Sequence, residues 1–321
     1  MPSQDFSFKT YEQDKQILAS VHWAPVNTES LNAVAIAFHG GSFAIGSRLM
    51  ISADHIGRLN ELGFVVVAPD YRLCPQVSLY EGPQQDAKDV LKWCKTDLPQ
   101  LLFQHGLSLD PKKVVALGYS AGGNLALCLG HEKDRPRAIL DFYGAKCFTD
   151  PFWITPLLAM RQLPTFDDSF LKLVYDEPTQ SSTDLFLERA AAMVDSASGM
   201  PRFDMSVPRV AWLFDSMRKG EQMRLLVQDG DFKRVDPVHH FSASFPPTFF
   251  IHGMADDLVP HRFSEVAHRR LNELGVITEL SLLSGKSHGF DAGLSAEDSA
   301  QKTVTKAFEF LQKYANNEAI G

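Results

Sequence analysis

Apolar positions in this chain follow two rhythms. Short unbroken runs at residues 33–38, 64–68, 114–117, 138–143 and 248–251 are rich in Val, Ile, Ala and Phe. They are too short for helices and read as strands buried on both faces. Residues 17–23 read as an early edge strand and residues 278–283 as the last strand. Elsewhere apolar residues recur at helical spacing. Ala87, Val90, Leu91 and Cys94 follow Pro83, which suits a first helical turn, and similar patterns occupy residues 263–274 and 300–314. Strand and helix alternate, which predicts an α/β architecture: a mostly parallel, twisted sheet flanked by helices.

The alternation stops between residues 146 and 244. Helical patterns at residues 169–175, 183–194, 209–218 and 221–227 replace it, with Pro208 and Gly220 where a helix start and stop belong. A stretch of ~100 residues far exceeds a normal sheet connection and predicts an element in its own right. The expected organisation is a core of residues 1–145 and 245–321, with residues 146–244 as a helical cap over the strand ends. Six of the nine methionines fall in that cap. Methionine is a gap filler, so one reading is a small cap core; the other is a pliable apolar pocket wall. Trp153, Met160, Met205 and Trp212 are the substrate-facing candidates for such a wall, with Phe152 and Phe203 beside them.

Chemistry enters at Ser120. The run at Val114–Leu117 ends in Gly118-Tyr119-Ser120-Ala121-Gly122, and an Ala/Leu-rich helical run follows. This is a G-x-S-x-G turn in the context it requires, strand, sharp turn, helix, with small residues two before and two after the serine. Upstream, the strand at residues 33–38 breaks at His39-Gly40-Gly41-Ser42, a loop that can aim backbone N–H groups into a pocket. His39 is expected to brace that loop, since no carboxylate or cysteine cluster accompanies it as a metal site would need. Downstream, an acid at Asp256-Asp257 follows the strand at residues 248–251, and His288 follows the last strand. A weak hydroxyl nucleophile, an imidazole that takes and returns its proton, and a carboxylate that orients the imidazole form a set suited to acyl transfer.

In these motifs the chain resembles the α/β-hydrolases, in the esterase/lipase group related to hormone-sensitive lipase. The likeness is carried by His39-Gly40-Gly41, Asp70-Tyr71-Arg72-Leu73, Gly118–Asn124, His252-Gly253 through Asp256, and His288-Gly289-Phe290. It implies an α/β-hydrolase fold with a helical cap inserted between the strand after the nucleophile helix and the strand bearing the catalytic acid. It also implies Ser120 as nucleophile, Asp256 as acid and His288 as base, with the N–H groups of Gly41, Ser42 and Ala121 as the oxyanion hole. Asp256 is preferred to Asp257 because it stands four positions after His252 in the His-Gly-x-x-Asp pattern. Ser42, Tyr119 and Cys74-Pro75-Gln76 depart from the group's usual residues.

Composition narrows the partners. The chain has 321 residues and a formal net charge of −8, with no basic block to meet the phosphates of nucleic acid. No apolar run reaches the ~20 residues that cross a bilayer. The first residues lack the basic segment and apolar core of a secretory signal, and the four cysteines show no C-x-x-C spacing. These features predict a cytoplasmic address and free thiols. No cofactor or metal is implied. The expected activity is hydrolysis of a hydrophobic carboxylic ester through an acyl-serine. The runner-up is a thioesterase, acyltransferase or lactone-forming cyclase that takes an acyl chain from an acyl carrier protein. A non-catalytic ligand receptor on the same fold is the third reading; such a protein has no need of His288.

Overall fold

The computed structural model describes residues 2–24, 32–183, 203–292, 294–295 and 297–317. Among these residues eight strands form one sheet in the order β1-β2-β4-β3-β5-β6-β7-β8. They are β1 (Ser3–Tyr11), β2 (Lys15–His22), β3 (Asn32–Phe38), β4 (Phe64–Pro69), β5 (Leu109–Tyr119), β6 (Ile139–Phe142), β7 (Thr248–Gly253) and β8 (Thr278–Leu283). The first two strands run antiparallel to their neighbours, and the other pairings are parallel. The sheet is therefore the mostly parallel one expected.

One strand position differs from the sequence reading. The segment read as an early edge strand is β2, the second strand in, and β1 lies outside it. Glu12, Gln13 and Asp14 join them in a tight turn, with Gln13 and Asp14 both at positive φ and Lys15 N–H donating to the Glu12 carbonyl at 3.1 Å. That backbone matches the twist of a tight hairpin. Strand β1 escaped the pattern because it is largely exposed and polar, with only Phe6 and Phe8 packing on the core.

Alternation along the central strands divides the interior into two layers. In β3, Val34, Ile36 and Phe38 face one cluster, while Ala33, Ala35 and Ala37 face the other. The second layer is closed by α1 (Ala53–Glu61) and α10 (Ser299–Asn316). The first is closed by α2 (Gln85–Thr96), α3 (Leu98–Phe103), α4 (Ala121–Cys128) and α9 (Arg262–Glu273).

Between β6 and β7 lie α5 (Asp168–Lys172), α6 (Pro208–Lys219), α7 (Gln222–Val227) and α8 (Phe232–Val235). Helix α6 starts on Pro208 and stops at Gly220, whose φ of 70° carries the chain out of the helix. The helical pattern at 183–194 lies outside the described residues apart from Thr183, as do Met193 and Met200. Residues of this insertion, including Trp153, Trp212, Met223 and Leu226, join the first apolar layer rather than forming a wholly separate core. Cys74, Cys94, Cys128 and Cys147 are all free. Among the described residues no helix is long and apolar enough to cross a membrane.

Candidate active site

Strand β5 delivers Ser120 to the sheet's C-terminal edge, and α4 begins at the next residue. Ser120 holds φ 55° and ψ −116°, a conformation that non-glycine residues rarely adopt. The turn closes only because its flanks are bare. A Cβ on Gly118 would lie 2.0 Å from the Gly122 carbonyl oxygen, and one on Gly122 would lie 2.2 Å from that of Phe38. Backbone bonds hold the strained residue: Ser120 N–H donates to Phe142 O at 2.9 Å, and Ala145 N–H donates to Ser120 O at 3.1 Å.

Two loops from neighbouring strands reach the serine. His288, beyond β8, has Nε2 at 2.9 Å from Ser120 Oγ and Nδ1 at 2.7 Å from Asp256 Oδ2. The Tyr143 ring packs edge-on against the His288 ring, with centroids 4.6 Å apart. Asp256, beyond β7, accepts the N–H groups of Leu258 at 3.0 Å and Val259 at 2.8 Å on its other oxygen. Burial alone would raise its pKa, but the hydrogen bonds from His252, His288 and the Val259 N–H prevail and hold the carboxyl well below the usual range. Asp257 is exposed and turned to solvent.

His252 is the member that sequence reasoning used only as a marker. Its Nε2 lies 2.8 Å from the Val259 carbonyl oxygen, which can only accept, so Nε2 carries the proton and shares it with Asp256 Oδ2 at 3.1 Å. Nδ1 must then accept, and it does so from Ser264 Oγ at 2.7 Å. Ser264 Oγ in turn accepts from the buried Lys146 ammonium at 3.1 Å. Lys146 also donates to Gly144 O at 2.6 Å and pairs with Asp141 Oδ2 at 2.8 Å. Burial lowers the His252 pKa and keeps its ring neutral, in agreement with this donor order. His252→Leu would strand the Val259 carbonyl and the Ser264 hydroxyl. A denaturation curve is expected to show a loss of about 1–3 kcal/mol for each group left unpaired.

The loop after β3 is held in an equally special shape. Gly41, Ser42 and Phe43 have φ of 109°, 54° and 62°. A Cβ on Gly41 would sit 2.0 Å from Ile45 O, so only glycine fits there. The N–H groups of Gly41, Ser42 and Ala121 donate to no acceptor among the described residues. His39 does brace this loop. Its ring stacks on Tyr71 at 4.2 Å, its Nδ1–H donates to Gly40 O at 2.6 Å, and burial pushes its pKa down to about 4. The Tyr71 hydroxyl bonds to His39 O at 3.0 Å. From α6, the fully buried Arg209 donates to Ala44 O at 2.9 Å and Cys74 O at 2.6 Å, tying the helical insertion to the loop.

A pocket of about 620 Å³, counted out to its open mouth, lies over Ser120 and His288. Phe43, Phe152, Trp153, Leu157, Met217 and Met223 are among the apolar residues of its wall.

A family model described as the alpha/beta hydrolase fold matches residues 35–151, and one for the prolyl oligopeptidase family matches residues 196–318. The first span carries the glycine loop and Ser120, the second Asp256 and His288. The chain belongs to the α/β-hydrolase superfamily. Esterase 2 of Thermogutta terrifontis shares this hydrolase's fold, with a TM-score of 0.64 over 97% of this chain and 94% of that one, at 20% identity. The same esterase has been seen with propionate bound, in a structure 21% identical with a TM-score of 0.63. Among curated relatives, the non-reducing polyketide synthase ausA of Emericella nidulans is 30% identical over 93% of this chain. The ausA synthase of Penicillium brasilianum is 31% identical over 93%. The chain spans about 13% of the length of each of these synthases.

Of the residues singled out from the sequence of this α/β-hydrolase, Ser42, Ser120, Ala121, Trp153 and His288 line the pocket. Asp256 stands behind His288, and Gly41 forms the loop beneath. Met160, Met205 and Trp212 are elsewhere. Met160 and Met205 pack with Val210 and Phe214 in a small cluster of the insertion. Trp212 is buried, with its indole N–H donating to the Tyr175 hydroxyl at 3.1 Å. Leu157, Met217, Met223 and Gln222 take the wall positions instead. They sit on short turns and helix ends, where no periodicity marks a face. Trp212→Ala is therefore expected to cost ~3–5 kcal/mol in a denaturation curve while leaving the relative rates on acyl esters of different length unchanged.

Proposed function

We propose that this hydrolase performs two-step acyl transfer on a carboxylic ester or thioester with a largely apolar acyl group. The observation that carries the reading is the unbroken contact from Ser120 Oγ to His288 Nε2 at 2.9 Å and from His288 Nδ1 to Asp256 Oδ2 at 2.7 Å. His288 takes the hydroxyl proton as Ser120 Oγ bonds to the carbonyl carbon. The oxyanion so formed meets the free N–H groups of Gly41, Ser42 and Ala121, which need no reorganisation to receive it. His288 returns the proton to the leaving oxygen or sulfur as that bond breaks. An acceptor then displaces the acyl group from Ser120 by the reverse route. Asp256 stabilises the imidazolium and fixes its tautomer. Residues 146–244 act as a cap that supplies the acyl wall and limits water. Treatment with a serine-directed organophosphonate should add one adduct mass, located on Ser120 by peptide mapping. An intact mass without the adduct, or an adduct on another residue, overturns the reading.

The relatives favour a particular acyl donor. A synthase that builds acyl chains must finally move them off the protein that carries them, and this chain resembles a segment of such synthases along 93% of its length. We therefore read the donor as an acyl chain on a carrier protein and the reaction as release by water or by a hydroxyl of the same chain. Acyl N-acetylcysteamine thioesters should be turned over faster than their oxygen-ester counterparts beyond the difference in background rates. A hydroxyacyl thioester separates the outcomes by product mass, because the lactone is lighter than the acid by one water.

A further inference from the structure

Two hydrogen bonds do not by themselves fix an imidazole. Ser120 Oγ at 2.9 Å and Asp256 Oδ2 at 2.7 Å hold His288 at its two ring nitrogens. The ring can still tilt about the line that joins them, and the loop that carries it can still drift. A general base tolerates little of either. Proton transfer needs hydrogen-bond reach, and a misplacement of about 1 Å can cost about 10²-fold in rate.

Tyr143, the residue that follows β6, touches the histidine loop twice. Its ring packs against the His288 ring, with centroids 4.6 Å apart and planes at 60°, and against the Phe290 ring at 5.5 Å. Its hydroxyl donates to Oδ1 of Asp291, three residues beyond His288 in the same loop. Burial and the Asp291 carboxylate push the phenol pKa well above its ordinary value, so the hydroxyl remains a donor. The second carboxylate oxygen of Asp291 lies 4.0 Å from Nδ1 of the buried His55 in α1. That nitrogen is 2.7 Å from the hydroxyl of Tyr119, the last residue of β5 before Ser120.

A polar cluster from four places in the chain therefore stands behind the serine and the histidine. Tyr143 itself is buried and holds φ 41°, a conformation that is costly for a bulky side chain, with its N–H donating to Ile251 O at 2.8 Å. Neither Tyr143 nor Asp291 lines the pocket, so contact with an acyl group does not account for either.

We propose that Tyr143 is a positioning residue for His288: its ring braces the imidazole, and its hydroxyl, bonded to Asp291, pins the loop that carries both. The inference rests on the acyl-transfer reading above and adds to it a residue that acts through the base without touching the substrate.

The test measures kcat and KM on a short p-nitrophenyl ester, together with a thermal melt and the initial rate of organophosphonate labelling. Tyr143→Phe keeps the ring and removes the pin. It should lower kcat by about tenfold, between full activity and the loss that a 1 Å displacement brings. His288 serves both acylation and deacylation, so both steps slow together and KM should stay within about twofold. The labelling rate should fall with kcat, and the melt should stay within a few degrees of wild type. Asp291→Ala, a change in the loop that leaves the strand ends untouched, should match Tyr143→Phe. Asp291→Asn retains an oxygen that accepts from the phenol and should keep most of the activity. The double variant Tyr143→Phe/Asp291→Ala should lose no more than either single one, because one contact is removed in all three. Wild-type kcat in Tyr143→Phe overturns the proposal, as do losses that multiply in the double variant. A kcat loss matched by a fall in the final labelled fraction and in the melt also overturns it, because the role is then structural only. Labelling of the wild type separates the two levels. Labelled Ser120 with an unaffected Tyr143→Phe removes this inference alone, whereas an unlabelled Ser120 removes the acyl-transfer reading beneath it.

Discussion

Ser120→Ala is expected to lower turnover of a short p-nitrophenyl ester by several orders of magnitude and to abolish organophosphonate labelling. Without Oγ no acyl-enzyme forms, and what remains is the modest catalysis of an oxyanion site acting on water; members of such a set act as a unit, so each loss approaches the loss of all. The fold should survive. The side chain's hydrogen bond is to His288 at 2.9 Å, while the backbone bonds to Phe142 and Ala145 do not involve it. Alanine meets the same cost at φ 55° that serine already meets. A thermal melt within a few degrees of wild type, together with a rate near background, is the predicted pair of results. Retained specific labelling in the variant would show that the nucleophile is elsewhere.

The second large effect separates two adjacent acids. Asp256→Asn should reduce kcat by about 10⁴-fold, whereas Asp257→Asn should stay within about twofold. Asp256 Oδ2 accepts from the Nδ1–H of His288, and an amide nitrogen placed there would donate instead. His288 would then carry its proton on Nε2 and could not take one from Ser120. His252 gives the variant no relief, because its Nε2–H already needs an acceptor at this position. Asp257 is exposed and meets neither imidazole. Equal losses at the two positions would refute the assignment. There is also a stability signature. The Asp256 pKa is depressed on folding from the ordinary carboxylate value of 3.8, so its ionised form contributes stability that is fully present above that value. That contribution is lost as pH falls toward the lower folded value. Acid titration of stability should accordingly be less steep in Asp256→Asn than in wild type.

Features imposed by local backbone geometry were readable in the sequence. The turn at Ser120 demands bare positions at Gly118 and Gly122, because strand, turn and helix meet within about 2 Å of where a Cβ would stand. Gly41 is required for a similar reason, and Pro208 and Gly220 mark the ends of α6 by the φ values they favour or permit. The buried strands were legible because parallel strands under two helical layers must be apolar on both faces, as β4 is from Phe64 to Pro69. Strand β1 was not legible, since an edge strand that shows its side chains to water carries no such signature.

The pocket wall was decided by tertiary structure. Helix α6 is buried without interruption from Arg209 to Ser216, so no amphipathic stripe says which side meets the substrate. Packing turned Trp212 toward Tyr175 and brought Met217 to the pocket. The support behind Asp256 depends on distance in the same way. His252 on β7 meets Ser264 from α9 and, through it, Lys146 just beyond β6 and Asp141 within that strand. Each of those residues, read alone, is an ordinary polar position. A local motif states its own steric requirement within a few residues, whereas a hydrogen-bond chain or a pocket wall is chosen by which distant surfaces the fold presses together.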